Sequence, residues 1–294
     1  MAVFTLPPPM IGFFKKHIEF LTEHAVDPDK RRYAVEGEAP RHYIDIDHYA
    51  HEGQDPFELV PQKWNDAIAK FSEDTLQAYG IVPWHVSVTM RWLEEAFRQG
   101  DTYRILRTAS DLGHYVGDAH VPLHTTENYN GQMTNQKGIH GFWESRVPEL
   151  FAEDYDYLVG KADYKEDALA FIWTEVRKSH LAVDSVLSFE KTLTETTSSD
   201  KKYGVESRGT ATIQTYSYEF SKEYSDMLDN MIERRMRQSI ISLGSLWYTA
   251  WLNAGQPDLD VLGNALPSEE QLKEEKDLDN KFNGGEIKGR EHPH

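Results

Sequence analysis

The chain of 294 residues carries 49 acidic and 31 basic side chains, which gives a formal net charge of −18. The length suffices for one large domain or two modest ones with a sizeable core. The acidity disfavours undirected binding to a phosphate backbone, which needs lysine and arginine, so we expect no stable nucleic-acid complex. The chain has no cysteine, which excludes disulfides and thiolate metal sites; a bound metal ion would need His, Asp and Glu ligands.

The hydrophobic segments carry no targeting signal. The opening residues, MAVFTLPPPMIGFF, lack a basic region, and three prolines interrupt their apolar stretch, so they do not form a signal peptide. No apolar run approaches the ~20 residues that a membrane-spanning helix needs.

Helical periodicity runs through nearly the whole chain. Apolar residues recur at steps of three and four, which predicts helices over residues 9–25, 56–79, 83–99, 101–120, about 141–152, 165–195 and 216–254. Asp101 fits the N-cap position of the fourth of these helices. Residues 42–49, HYIDIDHY, are the best strand candidate, and residues 197–215 indicate an exposed loop. The sequence thus predicts an all-α fold with a single multi-helix domain over residues 1–266.

The composition changes from Pro267 onward. The segment PSEEQLKEEKDLDNKFNGGEIKGREHPH is highly charged and nearly without aromatic residues. Such a segment buries too little apolar surface to offset the entropy of ordering. We therefore expect residues 267–294 to form a solvated or disordered tail.

Three histidines and two aspartates fall within residues 111–124, DLGHYVGDAHVPLH. His114 and Asp118 are four residues apart, so on a helix they share a face and can reach one point. Pro122 cannot continue the helix, because it lacks the N–H and clashes with the preceding turn. His124 therefore lies on the exit turn, where it is free to face a different centre.

A second pair with the same spacing follows in HGFWES, where His140 and Glu144 are again four residues apart. Two imidazoles and one carboxylate with a fourth position open suit a catalytic zinc ion. One such set is His124, His140 and Glu144. The pair on residues 111–124 needs partners from upstream, where the candidates are Asp27, Asp29, His42, Asp45 and Asp47.

The combined motif resembles the zinc-dependent phospholipase C and S1/P1 nuclease superfamily. The shared pattern is His-x-x-Gly-Asp, then Pro-Leu/Met-His, then His-x-x-x-Glu/Asp, here formed by His114, Gly117, Asp118, Pro122, Leu123, His124, His140 and Glu144. The family also has an Asp about fourteen or fifteen residues before a metal-binding His, which Asp27 and His42 match. The resemblance spans residues 27 to 144 and implies a phospholipase C/P1 nuclease-like helical domain.

The resemblance implies two zinc sites in this chain. One would be held by Asp27, His42, His114 and Asp118, and the other by His124, His140 and Glu144. Asp27, a carboxylate touching both metal and water, is then the candidate catalytic base. Lys30 or Arg31 is the candidate phosphate-binding residue, because nucleases of this family carry an Arg just past the corresponding Asp.

The third zinc site of the family has an incomplete ligand set here. In the family it uses an N-terminal Trp, a following His and the carboxylate that matches Asp118, whereas this sequence begins MAVFTLPPP. We expect the chain to start downstream of the segment with those ligands, and to hydrolyse phosphodiesters poorly. Because relatives expose the Trp by signal-peptide cleavage, the resemblance implies that the native protein is secreted or periplasmic.

The implied activity is zinc-dependent hydrolysis of phosphodiesters. With Glu at position 144 and no cysteine, the sequence resembles the phospholipase C branch of the superfamily. The resemblance implies a phospholipid head group as substrate and therefore peripheral contact with a membrane. Two alternatives stay open: an S1/P1-type single-strand nuclease acting on nucleotides, and a catalytically impaired zinc-binding helical module. The sequence predicts no oligomeric state.

Two other metal-dependent classes fit the sequence poorly. A ferritin-like di-iron bundle needs two Glu-x-x-His pairs, and the only one in the chain is Glu291 with His294. An HD-type phosphohydrolase needs an adjacent His-Asp dipeptide, which does not occur.

Overall fold

The computed structural model describes residues 1–32, 34–209, 211–263 and 267–284. These are mostly helical with one two-stranded sheet, which confirms the predicted all-α, single-domain fold. No helix within them has both the length and the apolar character that crossing a bilayer requires.

The elements follow one another along the chain as short and long helices with a single hairpin. The α-helices in the first half are α1 (Pro8–Lys16), α2 (Ile18–Glu23), α3 (Asp27–Arg31), α4 (Pro56–Leu59), α5 (Trp64–Phe71), α6 (Glu73–Tyr79), α7 (Val82–Gln99), α8 (Thr102–Ala119), α9 (Ile139–Gly141) and α10 (Val147–Phe151). The second half contains α11 (Ala168–Leu181), α12 (Val183–Thr196), α13 (Ser199–Lys202), β1 (Tyr203–Arg208), β2 (Ala211–Tyr216), α14 (Tyr218–Met227), α15 (Met231–Asn253) and α16 (Glu269–Gly284). The 3-10 turns are Ala2–Thr5, His24–Val26, Ala39–His42, Ile46–Tyr49, Pro122–Thr125 and Ala152–Asp154, and a π-helical turn spans Phe142–Arg146.

Helices α7, α8 and α15 form the centre of the core. The turn between α7 and α8 is made by Gly100, whose φ of 65° lies in the left-handed region that glycine adopts without strain. The side chain of Asp101 accepts a hydrogen bond from the Arg104 amide at 3.0 Å, as predicted for the N-cap of this helix. This turn fixes where α8 begins and therefore where its polar residues lie.

Helix α15 joins the core to the N-terminal residues. Trp247 donates its indole N–H to the carbonyl of Ala109 on α8 at 3.1 Å and stacks on Phe14 of α1, with ring centroids 4.8 Å apart. Gly244 lets the first turn approach closely, since a Cβ at this position would clash with the hydroxyl of Thr5. The chain before α1 is thus packed against the middle of α15.

A buried ionic network ties the end of α8 to α11 and α15. Arg235 on α15 donates Nε to the His120 carbonyl at 3.0 Å and Nη2 to Ser179 Oγ on α11 at 2.6 Å. Glu175, which is 1% exposed, lies 2.7 Å from Lys178 Nζ and 3.5 Å from His120 Nε2. Burial disfavours the carboxylate of Glu175, but His120 and Lys178 outweigh it and lower its pKa to about 2.

The predicted loop at residues 197–215 contains a β-hairpin instead. Strands β1 and β2 pair antiparallel, with Tyr203 opposite Tyr216. The alternation was hard to recognise because the hairpin buries little apolar surface; Val205 is 71% exposed. Tyr216 anchors the hairpin by stacking on Phe142, with ring centroids 3.8 Å apart.

Residues 42–49, predicted as a strand, form a loop instead: His42 ends one 3-10 turn, Ile46–Tyr49 is another, and residues 43–45 between them belong to no helix or strand. Their apolar alternation matches a strand, but among the described residues the sheet consists of β1 and β2 alone, so this segment has no strand to pair with. Its backbone bonds elsewhere: the Ile44 amide donates to the His124 carbonyl at 2.8 Å. This bond fixes the segment of His42 next to that of His124.

Several predicted helices are interrupted. Residues 216–254 form α14 and α15, separated by Asp229 and Asn230 with φ of 50° and 57°. Asp and Asn tolerate this left-handed conformation, so the helix can end there while the apolar spacing continues. Residues 9–25 are divided into α1 and α2, residues 165–195 into α11 and α12, and residues 56–79 into α4, α5 and α6.

Part of the predicted tail, residues 267–294, is helical. Helix α16 lies against α3, with Leu278 buried and the hydroxyl of Tyr103 donating to Glu275. The composition underestimates order here because one apolar side chain and a few polar contacts hold a helix whose other faces are charged. Residues 285–294 lie outside the described residues.

Replacing Glu175 with Gln is expected to lower the free energy of unfolding by about 2 kcal/mol at neutral pH, because Arg235 and Lys178 lose a buried counter-charge. The folded pKa of Glu175 lies below its unfolded value, so its stabilisation is complete above about pH 4.5 and is lost as the pH falls toward 2. Urea unfolding of both proteins across this range measures the difference, with the exposed Glu219→Gln as control. A difference that stays constant down to about pH 3 would contradict the role of the charge.

Candidate metal centre

Three side chains form one cluster that could hold a metal ion: Asp29 on α3, His42 at the end of Ala39–His42, and His114 on α8. Asp118 on α8 lies beside them, with its Oδ2 3.4 Å from His114 Nε2, and we call these four residues the first group. The Nδ1 atom of His42 lies 3.0 Å from Asp118 Oδ2 and 3.0 Å from His114 Nε2. The Oδ1 atom of Asp29 lies 3.7 Å from His42 Nδ1 and 3.6 Å from His114 Nε2. Tetrahedral ligands at about 2.0–2.1 Å from an ion are about 3.3 Å apart, so this group fits a small divalent ion.

The second group consists of His124, His140 and Glu144. The two Nε2 atoms are 3.2 Å apart, and Glu144 Oε2 lies 2.8 Å from His140 Nε2 and 3.5 Å from His124 Nε2. These distances again match the edges of a tetrahedron around a small ion. Three donors leave one position for water or a substrate atom.

Asp118 belongs to the first group and also contacts a ring of the second. Its Oδ2 faces the first group, while its Oδ1 is 3.3 Å from Nδ1 of His124, the ring nitrogen that faces the His42 carbonyl rather than His140 and Glu144. His114, Asp118 and Glu144 all line one cavity of about 360 Å³, which we call the metal-site cavity. A molecule in this cavity can therefore reach both groups.

Local sequence places the second group on two breaks in helical structure. Pro122 stops α8, and the 3-10 turn that follows carries His124 away from the face of α8, as the sequence predicts. His140 and Glu144 lie four residues apart, but the predicted helix over 141–152 contains the π-helical turn Phe142–Arg146. Such turns are common at functional sites because they redirect one side chain within a helix.

Backbone carbonyls orient three of the imidazoles. Their Nδ1 atoms lie at hydrogen-bond distance from a carbonyl: His114 from Ala25 at 2.9 Å, His124 from His42 at 2.7 Å and His140 from Tyr129 at 3.0 Å. A ring that donates from Nδ1 presents the lone pair of Nε2 to a metal ion. The three Nε2 atoms are the ones that point into the two groups.

Carboxylates raise the pKa of one histidine in each group, whereas burial lowers the pKa of His140. Burial disfavours the imidazolium of His114, but Asp118 and Asp29 outweigh it and raise its pKa to about 9. Burial is likewise outweighed by Asp118 and Glu144 at His124, whose pKa is raised. Without a metal ion, protons balance the acidic charge. A divalent ion would displace those protons, so its affinity should rise with pH.

Asp27, predicted as a ligand and as the catalytic base, lies outside the first group. Its carboxylate pairs with Arg107 and lies 2.6 Å from His24 Nδ1 and 3.2 Å from Lys30 Nζ. Burial opposes its charge, but the hydrogen bond from His24 and the Arg107 guanidinium hold the pKa of Asp27 well below its usual range. Residues two positions apart on a helix point to nearly opposite sides. Asp29 therefore faces the histidines, whereas Asp27 points away from them.

The predicted phosphate-binding residues, Lys30 and Arg31, also lie elsewhere. Lys30 lies 3.1 Å from Asp279 on α16, and Arg31 lies 3.0 Å from Asp111 and 3.2 Å from the hydroxyl of Tyr115. Neither is among the described residues that line the metal-site cavity. An arginine that does line the metal-site cavity is Arg235 on α15.

Glu38 supports the first group and was not predicted. It is fully buried, accepts hydrogen bonds from the hydroxyl of Tyr115 and from Arg41 at 2.6 Å, and its Oε1 lies 3.6 Å from His42 Nε2. A carboxylate behind a ligating imidazole orients the ring and strengthens its metal-binding nitrogen. The only sequence signal was a glutamate four residues before His42.

Comparison of the sequence with protein-family models and with curated proteins finds no match. The resemblance to the zinc-dependent phospholipase C and S1/P1 nuclease superfamily therefore stays a prediction based on motifs. The structure itself shows a helical protein with two groups of His, Asp and Glu side chains that could hold metal ions.

Replacing Asp29 with Asn should remove about one bound zinc ion per chain, because the first group loses a charged donor. Asp27→Asn, the matched control two residues away, should keep the zinc content and lose only stability through its ion pairs. Metal analysis after dialysis, together with competition against a chromogenic chelator, measures both. Loss of zinc from the Asp27 variant but not from the Asp29 variant would show that the ligand is Asp27, as the sequence motif implied.

Proposed function

We propose that the protein is a zinc-dependent phosphodiester hydrolase of the phospholipase C type. The observation that carries this proposal is that each of two groups of metal-binding side chains lines the same cavity, the first through His114 and Asp118 and the second through Glu144. Mixed imidazole and carboxylate donors at tetrahedral spacing suit zinc. Neighbouring divalent ions are a common arrangement for hydrolysis of phosphate esters.

The residues of the cavity have distinct tasks in this proposal. Bound zinc would polarise a phosphoryl oxygen and lower the pKa of a water molecule. Asp29, which occupies the place in the first group that the motif assigned to Asp27, would take over the proposed role of the base. Burial lowers the pKa of Arg235 to about 10, so this side chain stays charged on the cavity wall, with Glu175 3.8 Å from it as counter-charge.

The cavity wall favours a small substrate with an apolar part. Trp143, Val121 and Met236 provide apolar surface, and the volume of about 360 Å³ holds a head group rather than a nucleic-acid duplex. A phospholipid substrate implies peripheral contact with a membrane surface, and a secreted or periplasmic location belongs to the same proposal. The indole of Trp143 also supports the nuclease alternative, because an aromatic ring stacks on single-stranded bases.

Substrate assays with the full chain in excess zinc test the proposal. Hydrolysis of phosphatidylcholine vesicles would indicate the phospholipase, and hydrolysis of single-stranded DNA would indicate the nuclease. Bis(4-nitrophenyl) phosphate is the general phosphodiester substrate. His140→Ala should lower turnover of the preferred substrate at least about 100-fold, because the second group loses a ligand. The exposed His51→Ala is the control. Stoichiometric zinc without hydrolysis of any substrate would reject the proposal in favour of an impaired zinc-binding module.

Gly117 lines the metal-site cavity and leaves open space where another residue would have a side chain. It lies within α8 between the two residues of the first group, and a Cβ at this position would have no described atom within 4 Å. Glycine inside a helix costs about 1 kcal/mol relative to alanine, so a glycine here is not explained by stability.

Gly117→Ala is therefore expected to raise the free energy of unfolding by up to about 1 kcal/mol while raising KM several-fold, because the methyl group occupies substrate space. The matched control is Gly12→Ala in α1, which also has open space around the Cβ but lies away from the cavity. Urea unfolding and steady-state kinetics measure the two effects. Unchanged KM in Gly117→Ala would show that substrate does not approach this helix.

A further inference from the structure

The hairpin β1–β2 contacts the segment that carries two ligands of the second group. His140 and Glu144 lie on residues 138–146, which end in the π-helical turn Phe142–Arg146. The first and the last residue of this turn both contact the hairpin. Each of them lies two positions from Glu144, one before it and one after it, so the hairpin holds the turn on both sides of a metal-binding side chain.

Aromatic stacking holds the first residue of the turn. Phe142 is 1% exposed and stacks on Tyr216 of β2, with the ring planes 17° apart. The hydroxyl of Tyr216 also comes within 3.9 Å of the place where a Cβ on Gly138 would lie. One side chain of the hairpin therefore reaches from Gly138 to Phe142, the stretch of backbone that includes His140.

An ion pair holds the last residue of the turn. Arg146 is 5% exposed, donates Nε to the Tyr216 carbonyl at 3.1 Å and donates Nη1 to Glu206 of β1 at 3.0 Å. Its Nη2 donates to the other carboxylate oxygen of Glu206, so the pair is bidentate. A bidentate pair fixes orientation as well as distance. The position of the hairpin therefore determines where the end of the turn can lie.

The hairpin has little stability of its own. The sheet that the structure describes consists of β1 and β2, and an isolated two-stranded hairpin is marginally stable in water. Its order depends on contacts such as those with the turn, and at its base on Lys202, whose Nζ lies 2.7 Å from the buried Glu190. Coupling of this kind is reciprocal: what orders the turn stabilises the hairpin, and what loosens the hairpin frees the turn.

We propose that the hairpin β1–β2 sets the metal affinity of the second group, with Glu206 as a positioning residue that acts through Arg146. Held by the hairpin, the turn places Glu144 Oε2 2.8 Å from His140 Nε2, so an ion finds its donors already in position. This inference rests on zinc binding by the second group, as in the proposed function, and does not require hydrolysis of any phosphodiester.

Glu206→Gln tests the positioning role, because it removes the charge and keeps the size of the side chain. We expect one of the two zinc ions to bind about tenfold more weakly, which is typical for loss of a residue that orients a ligand without touching the ion. Competition against a chromogenic chelator, with the full chain, measures the affinity of both ions. Circular dichroism checks that the variant folds. Glu206→Asp, which keeps the charge, should recover part of the affinity.

Glu149→Gln is the matched control. Glu149 accepts a hydrogen bond from Nη1 of the same arginine at 3.4 Å but belongs to α10, so its loss removes a charge beside Arg146 without loosening the hairpin. Its side chain is half-exposed, and we expect both zinc affinities to stay within about twofold of the unmodified chain. Equal weakening by the Glu149 and Glu206 variants would show a general effect of charge and would overturn the proposal.

Hydrogen exchange measures the reciprocal effect. Zinc should slow amide exchange in β1 and β2 at least about threefold in the unmodified chain, and it should not do so in His140→Ala, which lacks a ligand of the second group. The proposal is overturned if Glu206→Gln binds both ions as tightly as the unmodified chain, or if zinc leaves exchange in the hairpin unchanged. Full zinc content in His140→Ala would reject the second group as a metal site, and this inference with it. Absence of hydrolysis changes none of these measurements and counts against the proposed function alone.

Discussion

The rest of the structure depends on carboxylates and largely buried imidazoles that are held 2.8–3.6 Å apart. Burying charged groups is costly unless each has a partner. Backbone carbonyls provide partners for the rings of His114, His124 and His140, and the carboxylate of Glu38 lies behind His42. The core of α7, α8 and α15 provides the rigid support that holds these groups together.

Helix α8 carries polar chemistry on two sides. Toward its C-terminus, His114 and Asp118 face the metal-site cavity. Toward its N-terminus, Tyr103 donates a hydrogen bond to Glu275 on α16. Between these two ends, Tyr115 donates a hydrogen bond to Glu38, the carboxylate behind His42. A single 18-residue helix thus positions both α16 and the ligands of the first group.

The sequence predicted the parts of the site that depend on local geometry. The i,i+4 pairing on α8 follows from helical periodicity, and the change of direction before His124 follows from Pro122. The choice between Asp27 and Asp29 could not be predicted, because it depends on which face of the five-residue helix α3 meets α8. Glu38 was missed for a similar reason, since its partners Tyr115 and Arg41 are brought together only by tertiary packing.

The distinction between local geometry and tertiary packing also explains which parts of the fold the sequence predicted. The long amphipathic helices were recognised because one face of each is buried, which leaves a periodic pattern in the sequence. The hairpin β1–β2 and helix α16 bury little apolar surface, so composition indicated a loop and a tail. Their order comes instead from a few contacts, among them the stacking of Tyr216 on Phe142 and the hydrogen bond from Tyr103 to Glu275.

The bonds from histidines to backbone carbonyls join segments that are far apart in the chain. His114 reaches back 89 residues to Ala25, and His124 reaches back 82 residues to the carbonyl of His42. Ions bound to these rings would therefore act as cross-links that close long loops, which restricts the unfolded chain much as a disulfide does. In a chain without cysteine, such cross-links would withstand a reducing agent and yield to a chelator.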